Sequence, residues 1–154
     1  MAESVGRVLQ VLGPVIDLQF EDGQVPAIYN AIKVTSEGFD TPVPVDITVE
    51  VALHLGSNIV KCIAMQPTDG LVRGMKAIDT GSPILVPVGP ETLGRVLNVL
   101  GEPVDQMGPI KTKKTYPIHR PAPSLEDQST ETEMLETGIN PFQAEPLLGD
   151  PHTE

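Results

Sequence analysis

Holding a nucleotide's phosphates on a loop takes Gly-x-x-x-x-Gly-Lys-Ser/Thr. Backbone N–H groups wrap the phosphates, the lysine reaches them and the hydroxyl holds magnesium. The nearest approach in this chain is Gly70-Leu71-Val72-Arg73-Gly74-Met75-Lys76. Its spacing is wrong, lysine does not directly follow the second glycine, and no hydroxyl comes next. A turn between strands accounts for it better. No two of the 14 glycines sit two apart, so the Gly-x-Gly start of a dinucleotide-binding turn is missing as well.

Other chemistry-bearing side chains are equally scattered. His54, His119 and His152 lie far apart, with no cysteine or acidic partner at metal-ligand spacing. His119 beside Arg120 could contact an anion, but a structural role in an extended, proline-rich stretch is the stronger expectation. Cys62, the single cysteine, falls in an apolar strand pattern and reads as a small core residue rather than a reactive thiol. Acidic residues are plentiful, yet no spacing singles out an acid–base pair. No catalytic, cofactor-binding or metal-binding residue is assigned.

The elements that would carry these side chains are short strands punctuated by turns. In residues 15–20, Ile16, Leu18 and Phe20 alternate with Val15, Asp17 and Gln19, the period of a half-buried strand. Gly13-Pro14 separates this strand from one over residues 5–12, and Glu21-Asp22-Gly23 supplies the next turn. Further strands are expected over residues 27–35, 45–53, 58–65 and 84–88, a spacing that fits a sandwich or a small barrel. Leu93, Val96, Leu97 and Leu100 then fall at i, i+3, i+4 and i+7, which predicts a helix over about 91–100 with Pro90 near its start and Gly101 at its end. A proline-rich connector with at most a short strand follows. Thr130 and Glu133 have capping-box spacing, and the helix they would open lacks a continuation after Ile139.

Composition narrows the class. No apolar run approaches the ~18 residues of a membrane-spanning helix, and the opening residues have neither a secretory pattern nor an Arg-rich transit pattern. A lone cysteine fits a reducing compartment. Residues 1–120 carry a net charge of −3 and residues 121–154 a net charge of −8, together the −11 of the chain. So acidic a protein repels a phosphate backbone, which argues against nucleic acid and anionic membranes as partners. Residues 121–154, with eight acidic side chains and no basic one, read as a solvated segment that cannot bury enough apolar area to fold alone.

Several long stretches occur together and in order: GRVLQVLGPVIDLQF, PAIYNA, TDGLVRGMKAIDTGSPILVPVG, TLGRVLNVLGEPVD, PIHRPAP and STETEMLETGI. On these the chain, from about Gly6 to Ile139, resembles the catalytic β subunit of rotary F-type ATP synthases. The resemblance implies a mainly β fold. It implies a six-stranded closed β-barrel over residues 1–82, followed over 83–140 by the incomplete start of an α/β P-loop nucleotide-binding domain. Residues 141–154 do not resemble the family, and a disordered tail is expected there.

In that family, the barrels of alternating α and β subunits close one end of a hexameric ring. The parent enzyme makes ATP from ADP and phosphate, driven by a transmembrane proton gradient. The resemblance therefore implies a fragment with ATP synthase α subunits, and other soluble-sector subunits of the parent, as partners. It implies a cytoplasmic location, or one on the cytoplasmic face of a bacterial inner membrane within a peripheral complex. The parent's Mg-ATP and ADP sites have no counterpart here, so the chain alone is expected to be inactive and to hold no cofactor. The alternative is a free-standing barrel that binds α-subunit surfaces without catalysis. A single-strand-binding small barrel ranks last, because those sites stack bases on aromatics in a basic groove. Residues from about Gly108 onward are expected to be mobile.

Overall fold

The computed structural model describes residues 4–42, 44–122, 124 and 126. Six strands form a closed antiparallel barrel: β1 Val5–Leu12, β2 Val15–Gln19, β3 Asn30–Thr35, β4 Asp46–Gly56, β5 Ile59–Ala64 and β6 Lys76–Pro83, in the order β1-β2-β5-β4-β3-β6. β6 closes the ring by pairing β1 through Val5↔Ile78 on one side and β3 through Val34↔Ala77 on the other. Closure leaves no unpaired sheet edge on the barrel.

Alternation decides what fills it. Val8, Ile16, Leu18, Ile32, Val34, Val49, Val51, Val60, Cys62 and Ala77 are all buried in one cluster, with Met75 and Phe20 packed among them. Fully burying a valine, leucine or isoleucine contributes about 1.5–3 kcal/mol, so an almost wholly aliphatic core suffices for this unit. Gly6 must be glycine because Phe20 lies against it: a Cβ there would stand 2.6 Å from the Gln19 carbonyl oxygen and 2.8 Å from the Phe20 ring. The tight link from β4 to β5 places both Ser57 and Asn58 at positive φ, 51° and 61°, the twist that suits a two-residue hairpin.

Three sequence expectations change. The strand expected from residue 27 starts only at Asn30, because Ala27 to Asn30 form a turn in which the Asn30 N–H donates to the Ala27 carbonyl and Tyr29 takes φ 71°. The sequence pattern marks no strand where β6 forms, because the alternation of Lys76 to Asp79 runs into Gly81 and Pro83, which mask it. The strand expected over 84–88 exists as β7 Leu85–Pro87, but it pairs with β8 Thr115–Pro117 in a separate two-stranded sheet, outside the barrel.

The helix expected over about 91–100 does not form. Pro90–Thr92 make a single 3₁₀ turn, and the chain then leaves helical geometry at Leu93. Asn98 diverts it: its Oδ1 accepts from the Leu100 and Glu102 N–H groups, and its Nδ2 donates to the Glu102 carboxylate. Val104 N–H donates to the Val96 carbonyl, and Leu97 bridges Pro103, so the stretch folds back as a hairpin-like lobe. A helix so short is marginal without a surface under it, and local side-chain bonds from asparagine compete with it. Among the described residues there is no α-helix, and no helix is long and apolar enough to cross a membrane. The capping box at Thr130 and Glu133, most of the acidic segment, His152 and the tail over 141–154 lie outside the described residues.

Candidate functional site

The outer wall of the barrel is the first surface with something to offer. In β4 the side chains of Val49 and Val51 point inward, so Glu50 points out, between Ala31 of β3 and Ile63 of β5. It is nevertheless only 7% exposed. The connector covers it: His119 Nε2 lies 3.0 and 3.1 Å from the two Glu50 carboxylate oxygens, and the His119 ring stacks on Tyr29 with centroids 4.2 Å apart. A carboxylate accepts, so Nε2 is the donating nitrogen. Tyr29 is itself fixed to the wall by its N–H, which donates to the Val51 carbonyl at 2.8 Å. Sequence reasoning gave His119 a structural role and did not find Glu50, since burial imposed by residues 69 positions away leaves no local mark.

Next to Glu50 the wall is apolar. The pairings Leu12↔Val15, Val15↔Ile63 and Ile63↔Glu50 run as one row across β1, β2, β5 and β4. Leu12 and Ile63 in this row are exposed, as are Leu53 and Leu55 further along β4. Polar chemistry on this face is engaged in pairs: Lys61 with Asp17 at 2.9 Å, and Lys33 with Asp46 at 3.6 Å.

Two further clusters lie beyond the barrel. Arg95 grips Asp105 through Nε and Nη2 at 2.6 and 3.0 Å, and the Asp105 carboxylate also accepts the N–H groups of Val96 and Met107. The Arg95 guanidinium, followed by these N–H groups, holds the Asp105 carboxyl well below the usual carboxylate range. On β8, the Tyr116 ring has the Lys114 ammonium 4.8 Å and the Arg120 guanidinium 3.9 Å from its centroid.

The remaining sequence candidates are placed as follows. Gly70 and Gly74, at φ 83° and 94°, belong to turns leading into β6, with Met75 fully buried behind them. His54 Nε2 lies 2.7 Å from the Pro26 carbonyl oxygen. Cys62 is completely buried, and burial, with the Asp17 charge adding to it, pushes its thiol up to about 12. Such a thiol is not a nucleophile near neutral pH. Among the described residues no three His, Cys, Asp or Glu side chains gather where a metal ion could sit. The geometry therefore offers a packing surface, an internal clamp and a cationic cluster.

The order of strands and the sequence that builds them can be compared with known families. Residues 8–81 match the family model described as "ATP synthase alpha/beta family, beta-barrel domain". The match spans the closed barrel from within β1 to within β6. The six-stranded unit of this chain is thus similar, over residues 8–81, to the β-barrel domain of the ATP synthase alpha/beta family.

Proposed function

We propose that this chain is the front portion of the catalytic β subunit of an F-type ATP synthase, and that its barrel works as a packing module between neighbouring α-subunit barrels of the ring. The observation that carries this reading is the closed barrel matched over residues 8–81, with the apolar row Leu12–Val15–Ile63 on its outer wall. Closure removes strand pairing as a means of association, so side-chain packing on the wall is what is left for joining barrels. Exposed apolar rows of this kind mark protein–protein contacts. The β rather than the α subunit is favoured by the resemblance of TDGLVRGMKAIDTGSPILVPVG, PIHRPAP and STETEMLETGI.

In this reading the barrel serves assembly and takes no direct part in turning over ATP. The barrel supplies no group suited to phosphoryl transfer: its thiol is buried, and its glycine turns are not followed by a Lys-Ser/Thr pair. The parent's proton-driven ATP synthesis, its Mg-ATP and ADP, and its place in a peripheral complex at the membrane belong to the proposal on the strength of the resemblance.

Mixing the chain with isolated α subunits and measuring mass by light scattering tests the reading. A stable mixed complex is expected, and Ile63→Lys should abolish it while the barrel stays folded. Only free components across micromolar concentrations would overturn the packing role. Calorimetry with Mg-ATP should give no heat of binding, and a micromolar dissociation constant would overturn the non-catalytic assignment.

A further inference from the structure

Four basic side chains of this acidic chain are neutralised in place among the described residues: Lys33 by Asp46, Lys61 by Asp17, Lys76 by Glu37 and Arg95 by Asp105. Arg7 and Arg73 stand singly outside such ion pairs among the described residues, whereas the stretch from Lys111 to Arg120 gathers four cations together. It holds Lys111, Lys113, Lys114 and Arg120 with no acidic residue, and among the described residues none of the four has a carboxylate within salt-bridge distance. Two of them, Lys114 and Arg120, converge on the one ring of Tyr116.

We propose that Lys114, Tyr116 and Arg120 form a binding site for a small oxyanion of the phosphate class. Two cations collected around one ring repel each other, and the ring's negative face offsets only part of that cost. An oxyanion bound by the two cations offsets the rest. The guanidinium fork can take two oxygens while the ammonium serves as a point charge and the phenol as a donor.

The frame is set before any ligand arrives. Val88 N–H donates to the Lys114 carbonyl and Ile118 N–H to the Ile84 carbonyl, which pins the backbone on both sides of Tyr116. Lys114 immediately precedes β8, two residues from Tyr116, and its ammonium lies over the Tyr116 ring. Arg120 follows His119, which is anchored to Glu50 on the barrel wall. It also lines an open cleft with Tyr29, Ile118, His119 and Pro121, so it is reachable from solvent. The Lys114 ammonium beside the ring, with the Arg120 charge adding to it, holds the Tyr116 phenol below its ordinary range, the sign expected where the local field favours negative charge. The site does not depend on which assembly the barrel serves.

The chain has two tyrosines and no tryptophan, so Tyr29→Phe leaves Tyr116 as the sole emitter. That protein is titrated with inorganic phosphate at constant ionic strength, made up with chloride, following tyrosine emission and the phosphorus-31 line width. A saturable response in the millimolar range is expected. It should weaken about fivefold in Arg120→Gln, the loss of one charge pair near the surface, and partly recover in Arg120→Lys. Should Arg120→Gln disturb β8, Tyr116→Phe keeps the ring and removes the hydroxyl, and the phosphorus line must again show weaker binding. An equal response to chloride alone, or superimposable titrations of parent and variants, would overturn the site.

Discussion

Glu50 shows how a residue's role can be set far away in sequence. Alternation along β4 makes its outward direction readable from Val49 and Val51, but its burial comes from His119 and Tyr29. His119→Ala should orphan a carboxylate already removed from water. A loss of about 1–2 kcal/mol is expected in urea denaturation, the lower part of the range for an unsatisfied buried acceptor because His119 is open to solvent on one side. The double variant with Glu50→Gln should recover part of it; no recovery would mean that His119 acts through its stack on Tyr29 alone. Gly6→Ala pushes a methyl group into Gln19 and Phe20, and overpacking of this kind costs about 1–3 kcal/mol. Cys62 was legible as a core residue from its strand pattern, and its thiol should ignore a disulfide reagent at pH 8 until urea unfolds the barrel. Fast native-state labelling would contradict that assignment.

At the scale of elements, strands announced themselves where alternation was clean and turns were marked. β1 and β2 are examples, separated by Gly13-Pro14. β6 was hidden because glycine and proline sit in its second half, where pairing with β1 and β3 overrides poor local preference. The apolar spacing of Leu93, Val96, Leu97 and Leu100 pointed to a helix for the opposite reason: the period is real, but Asn98 and the Arg95–Asp105 pair hold the backbone in a fold-back. That lobe carries a pH prediction. Asp105 has its pKa lowered in the folded chain, so its contribution is fully present above the unfolded carboxylate value of about 3.9. It is lost as pH falls through the lower folded value. Amide exchange at Val96 and Met107, corrected for the intrinsic pH dependence, should accelerate at pH 3 relative to pH 6 while barrel amides hold. Unchanged protection would show that the lobe does not rely on the ion pair.

Across the whole molecule, the barrel has a continuous core, whereas residues 84–122 are tied down at a few points: the β7–β8 pair, the Asp105 clamp, Gly101 against Pro87 and the His119–Glu50 contact. Hydrogen exchange should therefore appear in two tiers, slow in the barrel and faster over residues 84–122. Slow amides throughout 108–122 would contradict the mobility expected there. Motif resemblance reached the barrel as a whole, and periodicity reached most of its strands. The sites outside the barrel were opaque because they depend on contacts between distant residues. β6, last to be made, is the strand that both β1 and β3 need as a neighbour. During synthesis the amino-terminal strand therefore emerges long before its second neighbour exists, and the ring of strands stays open until Pro83 has left the ribosome. Ribosome-bound chains stalled before that point should be cut readily by protease and attract chaperones. Those stalled well beyond it should resist.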